Sequence, residues 1–167
     1  LRENSLVTLA NISTHLDLEP YSEEISLPIL DGLLHWAVCE SACARDPLSG
    51  VSSISLQRLA VESLCKLSVL EMNVDLMLAT PPWSRVDRLI GQLSRWLARG
   101  EDQVLREFSV VLISNMVPAD TYVSRAVAAA GSTVSHLLAF VEQAEQSALS
   151  VANQQGISAL RDNPELM

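Results

Sequence analysis

The class this sequence predicts is all-α, arranged as an armadillo- or HEAT-like α-solenoid of about three to four helical repeat units. Three observations carry that expectation. Apolar residues recur at steps of three and four almost throughout, without sustained strict alternation. A twelve-residue pattern at the start of the chain returns near residue 105 and, more weakly, near residue 57. Apolar residues make up 49% of the chain and charged ones only 19%, with a mean hydropathy of +0.24. That is more apolar than the ~25% charged composition of an ordinary soluble domain, as expected of a stack whose end faces await neighbours.

Taken in order, residues 1–16 read as a first helix, with Leu6, Leu9, Ala10 and Ile12 on one side, and the chain turns at Glu19-Pro20-Tyr21-Ser22. A second helix, over 23–39, opens on Glu23 and Glu24, which suit the positive end of a helix dipole. Its run of Ile25, Leu27, Ile29, Leu30, Leu33, Leu34, Trp36, Ala37 and Val38 leaves little polar arc, so it is expected to be the most buried helix. Pro28 either starts that helix or bends it. Residues 40–53, with Asp46-Pro47 and Ser49-Gly50, read as the longest loop. Helices resume over 55–70 and 74–79 and stop at Thr80-Pro81-Pro82-Trp83. Ser84 is positioned to cap the next helix, whose stripe of Val86, Leu89, Ile90, Leu93, Trp96 and Leu97 is the cleanest in the chain before Gly100. Asp102 caps a helix running to Pro118, and Asp120 a short one ending at Gly131. A long helix over 132–155 stops at Gly156. The expected organisation is one domain over 1–160, a piece of a longer solenoid, with 161–167 as a frayed tail.

The repeat is the most informative feature. Leu1-Arg2-Glu3-Asn4-Ser5-Leu6-Val7-Thr8-Leu9-Ala10-Asn11-Ile12 matches residues 105–116 at six of twelve positions. In the weaker copy, Ala60, Leu64, Lys66 and Leu67 stand in for Ser5, Leu9, Asn11 and Ile12. The small residue (Ser5, Ala60, Ser109) permits close helix approach, and the Leu and Ile positions fill a spine. The Asn is placed to bond the backbone of the next unit.

Composition also excludes functions. With 20 acidic and 11 basic residues and a net charge of -9, most of the surface repels DNA phosphates, so autonomous DNA binding is disfavoured. The longest uncharged stretch, 126–141, is broken by Gly131, Ser132, Thr133, Ser135 and His136 and is too short for a membrane span. Three cysteines, an odd number set among apolar residues, fit a reducing compartment. The chain opens on Leu1 with no leader-like run and reads as a segment of something longer.

No catalytic residues are expected, because neither a nucleophile elbow, a phosphate loop, a His-Glu-x-x-His helix nor a Gly-rich dinucleotide turn is present. His35-x3-Cys39-x3-Cys43 puts three soft ligands on one helix face, but core cysteines explain it better, and neither metal nor cofactor is assigned. The candidate binding residues are basic. Arg85, Arg88, Arg95 and Arg99 fall within an arc of about 80° opposite the apolar stripe of their helix. They form a ridge that could meet an acidic partner helix, a histone surface or a phosphate backbone, although such a face is more often simply solvated and paired locally, here with Asp87 and Glu101. Pro82 and Trp83, at the corner before this helix, form a candidate anchor.

Three strings, residues 30–39, 73–76 with 79–82, and 102–110, together resemble the carboxy-terminal region of the Osa-type subunits of SWI/SNF (BAF-class) chromatin remodellers, across essentially the whole chain. The resemblance implies a nuclear, non-enzymatic armadillo-like scaffold, without a small-molecule substrate or membrane contact. It would bind the other core subunits and the helical region of the remodelling ATPase, and meet the nucleosome only through the complex. The AT-rich interaction domain of that family is not in this chain. Two departures, a short 46–55 loop and Trp83 in place of Phe, bear on partner contacts at those loops. None of the cysteines has a Leu four residues before it, so the family's elongin-type adaptor motif is not seen. The alternative is a free-standing armadillo adaptor for extended peptides, which would present a ladder of Asn and Trp.

Overall fold

The computed structural model describes residues 2–21, 23–38, 53–79, 84–98, 102–119, 121–130 and 132–155. Among them are eight α-helices and one 3-10 turn, with no strand. α1 spans Arg2–Ile12 and tightens into a 3-10 turn at Ser13–His15. α2 spans Glu23–Val38, α3 Ser53–Leu67, α4 Glu71–Ala79, α5 Ser84–Trp96, α6 Gln103–Ala119, α7 Thr121–Ala129 and α8 Thr133–Gln155. The all-α expectation is met. The expected helix 1–16 ends sooner, where the Ser13 hydroxyl donates to the Leu9 carbonyl at 2.6 Å and competes with the helical ladder. Pro28 lies inside α2 and does not start it, while α6 ends at Ala119, one residue past the expected stop at Pro118. Of the expected 40–53 loop, Ser53 opens α3, and the rest falls outside the described residues with the Asp120 cap and the 161–167 tail.

α3 is the centre of the molecule. It packs against α1 on one side, α6 on the other and α2 across its face. α2 continues onto α4 and α5, α6 onto α4, α5 and α7, and α8 meets α7 and α5. One core therefore runs through Leu30, Leu34, Leu64, Leu67, Leu89, Leu93 and Leu112, all 0% exposed. This corrects the expectation that α2 is the most buried helix. Its Ile25 is 50% exposed, whereas on α3 Ala60, Val61, Ser63, Leu64 and Leu67 have no exposure. A helix with an apolar residue at nearly every angle is fully enclosed only if neighbours surround it, and α3 holds that place.

Two polar devices lock the stack. Asn73, fully buried at the start of α4, accepts from the Leu18 N–H at 2.9 Å. Its amide also donates to the Leu16 and Leu67 carbonyls at 2.9 and 3.0 Å. One side chain thus satisfies backbone groups at the end of α3 and in the connection after α1, which burial would otherwise leave unpaired. At the other end of α3, Arg58 donates through Nε to Asp102 Oδ1 at 3.1 Å and pairs through its other arm with the same carboxylate. Asp102 also accepts from the Leu105 N–H at 3.1 Å, acting as the expected cap of α6 while tying that terminus to α3. The Arg58 hydrogen bond holds the Asp102 carboxyl below the usual range.

Candidate functional site

α5 separates its two faces cleanly. Leu89, Ile90, Leu93, Trp96 and Leu97 are buried, and Arg88 and Arg95 are exposed on the opposite side. Seven residues apart, they stand two turns and roughly 10 Å from each other along the axis. Arg95 donates to Gln92 on its own helix. Arg85 lies in the first turn of α5, while Pro82, Trp83 and Arg99 fall outside the described residues. Asp87, offered by the solvated-face alternative as a partner for the ridge, accepts instead from the Tyr122 hydroxyl of α7. That bond holds the phenol proton and raises its pKa. Among the described residues neither Arg88 nor Arg95 belongs to an ion pair.

The matched positions of the repeat meet directly. α1, α3 and α6 lie side by side, and Lys66 Nζ donates to the Ala10 carbonyl at 2.7 Å. One unit further on, Asn115 donates to the Ser68 hydroxyl at 2.9 Å, with the Cys65 carbonyl at 3.5 Å. Lys66 and Asn115 hold the same place in the repeat, and so do Ala10 and Cys65. The bond expected to run to the next copy of the pattern is therefore made to the preceding copy. Asn11 is exposed, with no preceding unit among the described residues to receive it.

Cys65 donates to the Phe108 carbonyl at 3.2 Å, and burial pushes its thiol up to about 12, which suppresses the reactive thiolate. His35 is exposed and edge-on to Trp36, while Cys39 and Cys43 fall outside the described residues. Among the described residues no cluster of metal-ligating side chains forms, and no helix is long and apolar enough to cross a membrane.

Two further surfaces were not singled out by the sequence pattern. Between α1 and α2 lies a cavity of about 400 Å³, bordered by Leu6, Leu9, Ile29, Leu33 and Trp36. On α8, Val134, Leu138, Val141 and Leu149 form a stripe 48–62% exposed. The spacing of that stripe is regular enough to read from the sequence. Only the packing shows that no described helix covers it.

Among the described residues the helices share one all-α core, with Arg88 and Arg95 exposed on α5 and an exposed apolar stripe on α8. Over residues 1–167 the chain matches the family described as SWI/SNF-like complex subunit BAF250/Osa. It is 55% identical over 170 residues to Trithorax group protein osa of Drosophila melanogaster, an alignment covering 100% of this chain and 6% of that protein. It is 52% identical over 52 residues to the protein of the same name from Drosophila yakuba, covering 31% of this chain and 16% of that one. The chain belongs to the BAF250/Osa family of SWI/SNF-like complex subunits, and it spans a small fraction of the length of these relatives.

Proposed function

We propose that this chain is a non-catalytic scaffold segment of a SWI/SNF chromatin-remodelling subunit, working in the nucleus in transcription regulation. Its helices form an armadillo-like solenoid, of which α2–α3, α4–α6 and α7–α8 are successive units and α1 closes the one before. On it dock other core subunits and the helical region of the ATPase, and the nucleosome is reached only through the assembled complex. The observation that carries this reading is the recurrent bond from Lys66 and Asn115 to the preceding helix, at one place in a repeated sequence pattern. A solenoid is built from such translationally repeated contacts. Membership in the BAF250/Osa family supports the assembly role.

The docking surface proposed is the Arg85, Arg88, Arg95 and Arg99 ridge with the Pro82-Trp83 corner. Exposed guanidinium groups set register and encounter rate with an acidic partner, while apolar anchors supply affinity. The test is Arg88→Glu with Arg95→Glu in the full-length subunit, followed by co-purification of the other subunits. Loss of co-purification at unchanged Tm supports the reading, and unchanged co-purification at unchanged Tm removes the ridge from it.

A further inference from the structure

Among the described residues one buried charged side chain belongs to no ion pair. Arg106, on α6, is only 5% exposed. Its Nη2 donates to the Gln143 side-chain oxygen on α8 at 3.1 Å, and its guanidinium carbon stands 5.5 Å from the centroid of the Phe140 ring. Its Nε has no hydrogen-bond partner. The ion pairs among the described residues are Arg58–Asp102 and Glu62–Lys66, and neither includes it. A guanidinium carries five N–H donors and stays charged, so one neutral amide and one ring leave a buried cation under-compensated.

The same guanidinium lines a cavity of about 260 Å³ between the end of α5, α6 and α8, together with Leu97, His136, Glu142 and Gln143. That volume lies below the ~300–1,000 Å³ of sites for drug-sized ligands and suits a single inserted side chain. Arg106 is the one guanidinium in the lining, so the positive charge it offers matches a single carboxylate better than a phosphate dianion. Roughly 120° around α8 from this face run Leu138 and Val141, each 62% exposed, beside which a protein segment reaching the cavity would lie.

We infer that the Arg106 cavity receives the carboxylate of an Asp or Glu side chain from another subunit, bound by the guanidinium fork. This rests on the assembly reading above. The carboxylate accepts from the guanidinium N–H groups turned to the cavity and supplies the counter-charge that the described residues do not.

The test uses the full-length subunit and its assembled complex. Arg106→Met keeps the aliphatic stem and removes the guanidinium, and with it the bond to Gln143 and the contact with the Phe140 ring. In the purified subunit its Tm is expected to be equal to wild type or higher, because replacing an uncompensated buried charge with an apolar isostere is neutral or stabilising. Retention of that subunit by the immobilised remainder of the complex is expected to fall roughly tenfold or more. A lowered Tm makes Arg106 a structural residue and overturns the inference, as does unchanged retention. Glu142→Gln is expected to leave retention unchanged, and if it reproduces the loss, the counter-ion is internal and the inference fails. A hexaglutamate peptide is expected to release the wild-type subunit where inorganic phosphate at equal ionic strength does not, and the reverse order overturns the carboxylate assignment. Failure of the wild-type subunit itself to be retained sinks the assembly reading instead, so the two failures are distinguishable.

Discussion

α1 and α3 carry versions of the same pattern and live in different surroundings. At matched positions Ile12 is 51% exposed and Leu67 0%, while Ser5 is exposed and Ala60 fully buried. The face turned toward the following unit is alike in both, with Ala10 at 2% and Cys65 at 5%. α6 shows the converse, since its Met116 and Ser109 are buried, whereas Ser114, which matches Cys65, is exposed. A repeated helix therefore has two independent apolar faces, and each is buried only where a neighbour exists on that side.

The largest test of this contrast is a matched truncation. Leu67→Ala is expected to destabilise by about 2–5 kcal/mol and Ile12→Ala by no more than about 0.5 kcal/mol, measured by urea denaturation. Similar losses at both sites would mean that the outer face of α1 is covered. Overpacking probes the same asymmetry from the other direction. Ala60→Leu is expected to cost about 1–3 kcal/mol where Ser5→Leu costs almost nothing. Asn115→Ala removes the bond between units and leaves Ser68 without its donor, with an expected loss of about 1 kcal/mol, whereas Asn11→Ala is silent.

Thiol labelling sharpens the comparison on the other face. Cys65, buried and held protonated up to about 12, is expected to react with iodoacetamide at pH 8 only as the protein unfolds, while a cysteine introduced by Ser114→Cys labels at the rate of a free thiol. Equal rates would place Cys65 at the surface. The smallest effect concerns acid. Because Arg58 depresses the Asp102 pKa, the unfolded state takes up that proton first as pH falls. The tie between α3 and α6 contributes fully above the ordinary carboxylate range and fades as pH drops through the depressed value. Asp102→Asn is expected to flatten the acid side of the stability–pH curve, and a curve of unchanged slope would show that the pair is solvated away.

Much of the fold was legible. The α5 stripe of Leu89, Ile90, Leu93, Trp96 and Leu97 is buried as its period requires, and Asp102 caps α6 as its place before an apolar run suggests. Asn73 was not legible, because a polar residue at a helix start reads as solvent-facing until two other segments converge on it. Arg106 escaped for a related reason. It sits seven residues before buried Ile113, hence on the same side of α6, and that spacing was the available signal. Reading it as buried required knowing that Phe140 and Gln143 of α8 reach it, which no local pattern encodes.

The amino-acid order alone determined that this protein is helical, where its stripes run and that one stripe recurs, because these follow from periodicities within a few turns of chain. Only the packed molecule decided which copy of a repeated residue is enclosed, which way the polar bonds between units point, and that among the described residues one buried arginine belongs to no ion pair. Those outcomes depend on neighbours tens of residues distant, and burial is a property of what surrounds a side chain rather than of the side chain itself.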